Sequence, residues 1–179
     1  MSVNLLVPSN FNIGGRPPLA FYDSELLGGA VNLAIPLLMR ASMANTDVCR
    51  VLVDTGASCD IMYTNLLKTL QLTEKNLSPY VGSELYDFNS SSTQPWGYVQ
   101  LLVTFGEGEA KKTITVPFLV IKCPALYNCI IGRTRLAQLG AACLTAHLKL
   151  KYHVKDGIIA SLSGDIEAAK RCFLTQQTC

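Results

Sequence analysis

Val51-Leu52-Val53-Asp54-Thr55-Gly56-Ala57-Ser58 is the stretch on which the fold of this chain turns. Three aliphatic residues crowd together and a turn signal follows them. Val51 to Val53 therefore read as the end of a buried strand, from about Val48, and Asp54 stands where that strand enters a tight loop. Gly56 permits close backbone approach, and its small neighbours leave room beside the carboxylate. Asp-Thr-Gly occurs once, and Asp-Ser-Gly does not occur at all. Alone, the tripeptide has a plain alternative: a strand-to-turn aspartate that caps a nearby backbone amide.

The residues further along reduce that alternative. Ile61 to Leu72 reads as a short amphipathic helix, with Met62, Leu66, Leu67 and Leu70 at helical spacing. Asn128-Cys129-Ile130-Ile131-Gly132-Arg133 follows later, and Thr134 to Gly140 reads as a helix closed by a C-terminal glycine. Between them stand Leu85-Tyr86-Asp87-Phe88, Gln94-Pro95-Trp96-Gly97 and Leu101-Leu102-Val103-Thr104-Phe105-Gly106. His147-Leu148-Lys149-Leu150-Lys151-Tyr152 comes last. In this order the segments resemble retropepsin-like aspartic protease domains, those of plant Ty3/gypsy-type retrotransposon polyproteins above all. The resemblance runs from about Asn32 to Tyr152 and continues weakly to Cys172.

The resemblance implies a mainly β fold: a closed β-barrel half with a flap hairpin and one or two short helices. It implies an aspartic endopeptidase that cleaves polyprotein peptide bonds. Water activation without a metal needs one carboxylate as base and a second, protonated, as acid. Two carboxyls held close share a proton, and their pKa values split. A chain with one such loop must borrow the other from a twin, and a two-fold axis brings Asp54 against its own copy. By resemblance the catalytic residues are Asp54, Thr55 and Gly56, with the Thr55 hydroxyl bonding across the axis. Ala57, Ser58, Phe88, Asn89, Ser90, Ser91 and Ile131 would bind substrate. Gly132 and Arg133 would support the loop. The expected partners are a second copy and an extended peptide or polyprotein; no cofactor or metal is called for. Ser58 departs from the family, where an acidic residue often pairs with the later arginine. Arg133 needs another partner, and Asp60 is a candidate.

The 179 residues suffice for one domain with a substantial core. A composition of 49% hydrophobic and 16% charged residues is that of a globular chain. A net charge of +2 is too small to argue for a nucleic-acid partner, and no direct one is expected. Seven cysteines, odd in number and without a C-x-x-C pair, argue against a zinc ribbon and against a disulfide framework. Nothing resembles a signal peptide or reaches membrane-spanning length, so free thiols in the cytoplasm are the expectation, and the resemblance adds retrotransposon particles as an alternative place within it.

Three divisions are expected: 1–30 as linker or upstream polyprotein remnant, 31–155 as the protease domain, and 156–179 as a tail. Val31 to Ala44 should supply the first strand, with a turn at Asn45 to Asp47. Glu84 to Phe88 and Tyr98 to Phe105 should be the arms of the flap around the polar tip Asn89 to Thr93, with Trp96 at its base. Such a tip suits a lid, although an exposed hairpin without lid function has the same pattern. Thr113 to Ile121 reads as a strand with Pro117 at an edge or bulge. Ala142 to Tyr152 reads as a strand or hairpin, and the region from Ser161 as a weak helix. Cys59 with His147 or His153 imitates a thiol protease pair, and Gly56 to Asp60 a fragment of G-x-S-x-G that lacks its last glycine. A catalytically silent relative that dimerises and binds peptides or scaffolds an assembly would share the whole pattern.

Overall fold

The computed structural model describes residues 16–86 and 92–177. Alternation of apolar and polar side chains builds most of it, since successive strand residues face opposite ways. β1 (Leu38–Met43), β2 (Thr46–Asp54), β3 (Ile61–Tyr63), β6 (Gly97–Phe105), β7 (Lys112–Ile121) and β8 (Cys129–Gly132) close into a barrel ordered β1-β2-β8-β3-β7-β6. β4 (Leu85–Tyr86) and β5 (Ser92–Thr93) form a separate two-stranded hairpin. β7 shows the pattern most plainly: Ile114, Val116, Phe118 and Val120 alternate into the core. Val51, Val53, Met62 and Ile131 fill the same core from β2, β3 and β8.

β2 carries a bulge. Met39 pairs with Val51 but Ala41 pairs with Val48, so β2 spends one residue more than β1. Arg50 takes up the excess in the left-handed region, at φ 55°. The extra residue shifts the facing of the strand, so Val48, Val51 and Val53 all point inward. β8 then runs parallel to β2, with Val53 opposite Ile131 and Asp54 opposite Gly132.

Several expectations need correction. The first strand begins at Leu38 rather than Val31. Asn32 folds the chain upstream into a turn, its side chain accepting from the Ile35 N–H and donating to the Ile35 and Thr145 carbonyls. The turn before β2 is Ala44-Asn45, both at positive φ, and Thr46 already belongs to the strand. Ile61 to Tyr63 is strand β3, and the helix α1 spans only Thr64–Thr69. β3 is wedged between β7 and β8, and that pairing overrides the helical spacing of its apolar residues. The return arm of the flap hairpin is β5, since Tyr98 to Phe105 pairs along its whole length with β7 as barrel wall. Trp96 does lie at the hairpin base, its N–H donating to Val120 and its ring 5.3 Å from the Lys122 ammonium. Pro117 lies opposite Gln100 of β6, short of Leu119 where β3 begins to pair, so β7 is locally an edge there.

Helix α2 (Arg133–Leu139) ends at Gly140 in the left-handed conformation, as its sequence indicates. β9 (Ala141–Leu144), β10 (Lys149–His153) and β11 (Ile159–Ser163) then make a three-stranded sheet ordered β11-β10-β9. Helix α3 (Ile166–Gln177) is capped by Asp165, which accepts the Ala168 N–H, and packs Ala168, Ala169 and Cys172 against Leu38. The segment upstream of β1 lies on β10. Buried Lys151 donates to the Glu25 carboxylate and the Ala20 carbonyl, both at 2.7 Å, with the Phe21 ring 5.1 Å away. The rings of His147 and His153 meet the carbonyls of Tyr22 and Pro17.

Candidate active site

Asp54 is the last residue of β2, half-buried, and its Oδ1 accepts the Gly56 N–H at 2.8 Å. That bond is what an ordinary capping aspartate would make. The surroundings are not ordinary. The next turn closes by the Ala57 N–H donating to the Asp54 carbonyl, and the Ala57 carbonyl accepts the Arg133 N–H at 3.1 Å. Gly132 sits inside this wrap. A Cβ there would fall 2.7 Å from the Ala57 oxygen and 2.8 Å from the Cys59 oxygen, so only glycine fits. β8 therefore threads directly beneath the loop that carries Asp54.

The loop faces outward. Thr55, Gly56 and Ser58 are exposed, Ala57 is half-buried, and Asp54 is the one carboxylate that the loop presents at its rim. Ile131, expected among substrate contacts, is wholly buried in the barrel core. Phe88, Asn89, Ser90 and Ser91 lie outside the described residues.

Asp60 neighbours the loop but is not the partner of Arg133. Arg133 is exposed, and Asp60 is bonded to Arg135. The buried Asp60 carboxylate accepts the Gly132 N–H at 2.9 Å and the Arg135 Nε–H at 3.0 Å. Burial is the largest influence on this carboxyl and raises its pKa above the usual aspartate value; the two hydrogen bonds and the Arg135 charge pull the other way. The signal was in the sequence as a displaced pair: Asp60 stands two residues after Ser58, and Arg135 two residues after Arg133.

Other chemistries fit poorly. Burial and the Asp60 charge raise the Cys59 thiol, the reverse of what a nucleophilic cysteine needs. His147 and His153 are held against the segment upstream of β1, not against Cys59. The six described cysteines are unpaired. Among the described residues no three His, Cys, Asp or Glu side chains gather in a way that could hold a metal ion, and no helix is long and apolar enough to cross a membrane.

No family model matches the chain, and no curated protein matches it. Solved structures do. The retroviral protease-like domain of Ddi1 from Leishmania major superposes with a TM-score of 0.50 at 20% identity, over 73% of this chain and 95% of that one. The fold is retropepsin-like. EIAV protease in complex with an inhibitor is also similar, at 23% identity and a TM-score of 0.45, over 63% of this chain and 96% of that one. So is a retropepsin-like aspartic protease from Rickettsia conorii, at 16% and 0.43, over 63% of this chain and 84% of that one. At 20% identity the likeness to the Ddi1 domain speaks to architecture alone. In the retropepsin-like barrel described here, the Asp54 loop stands over the glycine of β8.

Proposed function

We propose that the chain is an aspartic endopeptidase that acts as a homodimer. The observation that carries this reading is the loop itself: Asp54 ends β2, is turned by Gly56, and lies in register with Gly132 of β8. One such loop supplies one carboxylate, and a two-fold partner supplies the other. Asp54 and its symmetry mate would hold a water between them. The ionised carboxylate takes a proton from that water as it attacks the scissile carbonyl, and the protonated one donates to the carbonyl oxygen. The roles reverse when the amine leaves. Thr55, exposed beside Asp54, would bond across the axis to the opposite loop. Extended peptide would lie along the loop as an added strand does.

The finer parts of the proposal rest on sequence motifs. They are descent from a plant Ty3/gypsy-type element, polyprotein substrates, location in the cytoplasm within particles, and a protease domain over 31–155. Purified protein incubated with a peptide library over roughly pH 3 to 8, beside Asp54→Asn, tests the activity. Cleavage that rises with dimer concentration and vanishes in the variant is the expected result. A folded dimer that cleaves nothing would favour a peptide-binding or scaffolding module. The pH profile should be bell-shaped on the acid side, because fully protonated and fully ionised pairs both fail.

A further inference from the structure

Asp60 takes no part in the proposed chemistry, yet it is the most constrained polar group beside the loop. Its side chain is only 5% exposed. One carboxylate oxygen accepts the Gly132 N–H and the other accepts Arg135, while its own carbonyl accepts the Leu119 N–H from β7. Arg135 is held in turn by Gln138, its Nη1 donating at 2.7 Å. Gly132 is the residue opposite Asp54 in the β2–β8 ladder, and the Ala57 and Cys59 carbonyls crowd it from the loop side. Residues 54, 57 and 60 are thus each fastened to 132 or 133. The contact at 60 is the only one of the three made by an ionisable side chain.

We propose that Asp60 is the positioning residue of the Asp54 loop, acting through the Gly132 amide with Arg135 as its counter-ion. The structural half of this stands alone; the catalytic half rests on the aspartic protease reading. The arrangement also makes the loop sensitive to acid. Arg135 of α2 is the charge that faces Asp60. The thiols of Cys59 and of Cys129 on β8 lie near it, and burial keeps both neutral. Burial raises the Asp60 carboxyl, so it takes up a proton at a higher pH than a free aspartate does. Once neutral it loses its attraction for Arg135, and the loop loses one of its fastenings on the acid limb of the profile.

The test uses the full chain and two readouts. Exchange of the Gly132 amide is followed by NMR against pH in wild type, Asp60→Asn and Arg135→Gln. Protection in wild type should fall as Asp60 is protonated. In Arg135→Gln that fall should move to higher pH, because the buried carboxylate has lost its cation. In Asp60→Asn it should vanish. On whichever peptide the wild type cleaves, Asp60→Asn should lower kcat by on the order of tenfold to a hundredfold with KM little changed, and should shift the acid limb. Gly132 protection that ignores both substitutions, or a fall that moves to lower pH in Arg135→Gln, would overturn the proposal. If the wild type cleaves nothing, the protease reading fails, while the exchange data still decide whether Asp60 holds the loop. If Asp60→Asn does not fold, Arg135→Gln, at a half-exposed position, decides alone by the direction of its shift.

Discussion

Gly132 is the residue on which the site is least forgiving. A methyl group there meets two backbone oxygens, and backbone cannot swing aside as a side chain can. Gly132→Ala should cost about 1–3 kcal/mol, read as a lower midpoint of urea unfolding. Arg50 is the opposite case. It adopts a left-handed conformation that glycine would hold with less strain, while its guanidinium donates to Asn128. Gly132 was legible in the sequence because glycine after two aliphatics is an explicit signal. The bulge was not, because nothing marks Arg50 as the residue that bends β2. The Asp60–Arg135 pair is half legible: Asp60 stands out as an acid beside the loop, but its base lies two residues beyond the Arg133 to which the motif points. Charge pairing across a fold depends on which side of a helix a residue occupies, and an exposed Arg133 and a half-buried Arg135 look alike in one dimension.

Elements differ in how far their patterns reveal them. β7 and α2 were readable, one from strict alternation and the other from its closing glycine. β3 was not, because three residues cannot show a period and the apolar positions after it suit a helix. Elsewhere the joints between elements carry single polar bonds with large leverage. Lys112, at the start of β7, donates to the Leu139 carbonyl at the end of α2 and to the His153 carbonyl at the end of β10. Burial lowers its pKa, with the Arg16 charge adding to the effect. Lys112→Met would leave those carbonyls without this donor and should cost about 1–3 kcal/mol, seen as a loss in melting temperature. Tyr152 joins β10 to the turn before β7 by donating to the Ala110 carbonyl at 2.7 Å. Burial raises its phenol to about 12. A raised folded value means that its contribution is complete below the unfolded value of about 10 and is lost as pH climbs through the folded one. Unfolding midpoints measured over alkaline pH should fall in that window, and Tyr152→Phe should lack that part of the fall.

At the scale of the molecule, the β9–β11 sheet is covered on β10 by a segment that its sequence presents as linker. Pro17 to Glu25 has the Gly-Gly and Pro-Pro chemistry of a loop around it, and no periodicity. Beside the His147 and His153 contacts, its attachment includes Lys151, an interior cation whose pairing no local pattern discloses. A chain shortened to begin at Leu26 should exchange the amides of β10 faster than the full chain, while the amides of β2 and β7 stay protected. Glu25 has its pKa lowered chiefly by the Lys151 hydrogen bond, then by the Tyr22 N–H. A depressed value contributes stability above the unfolded pKa, so the segment should loosen as pH falls through the folded value. The cage around Lys151 has a chemical consequence as well. An acylating reagent needs a free, solvated amine, and this one is enclosed by a carboxylate, a carbonyl and two aromatic rings. In a timed acetylation followed by peptide mass analysis, Lys151 should be modified well after exposed lysines such as Lys68 and Lys75, and its lag should report how long the upstream segment stays in place.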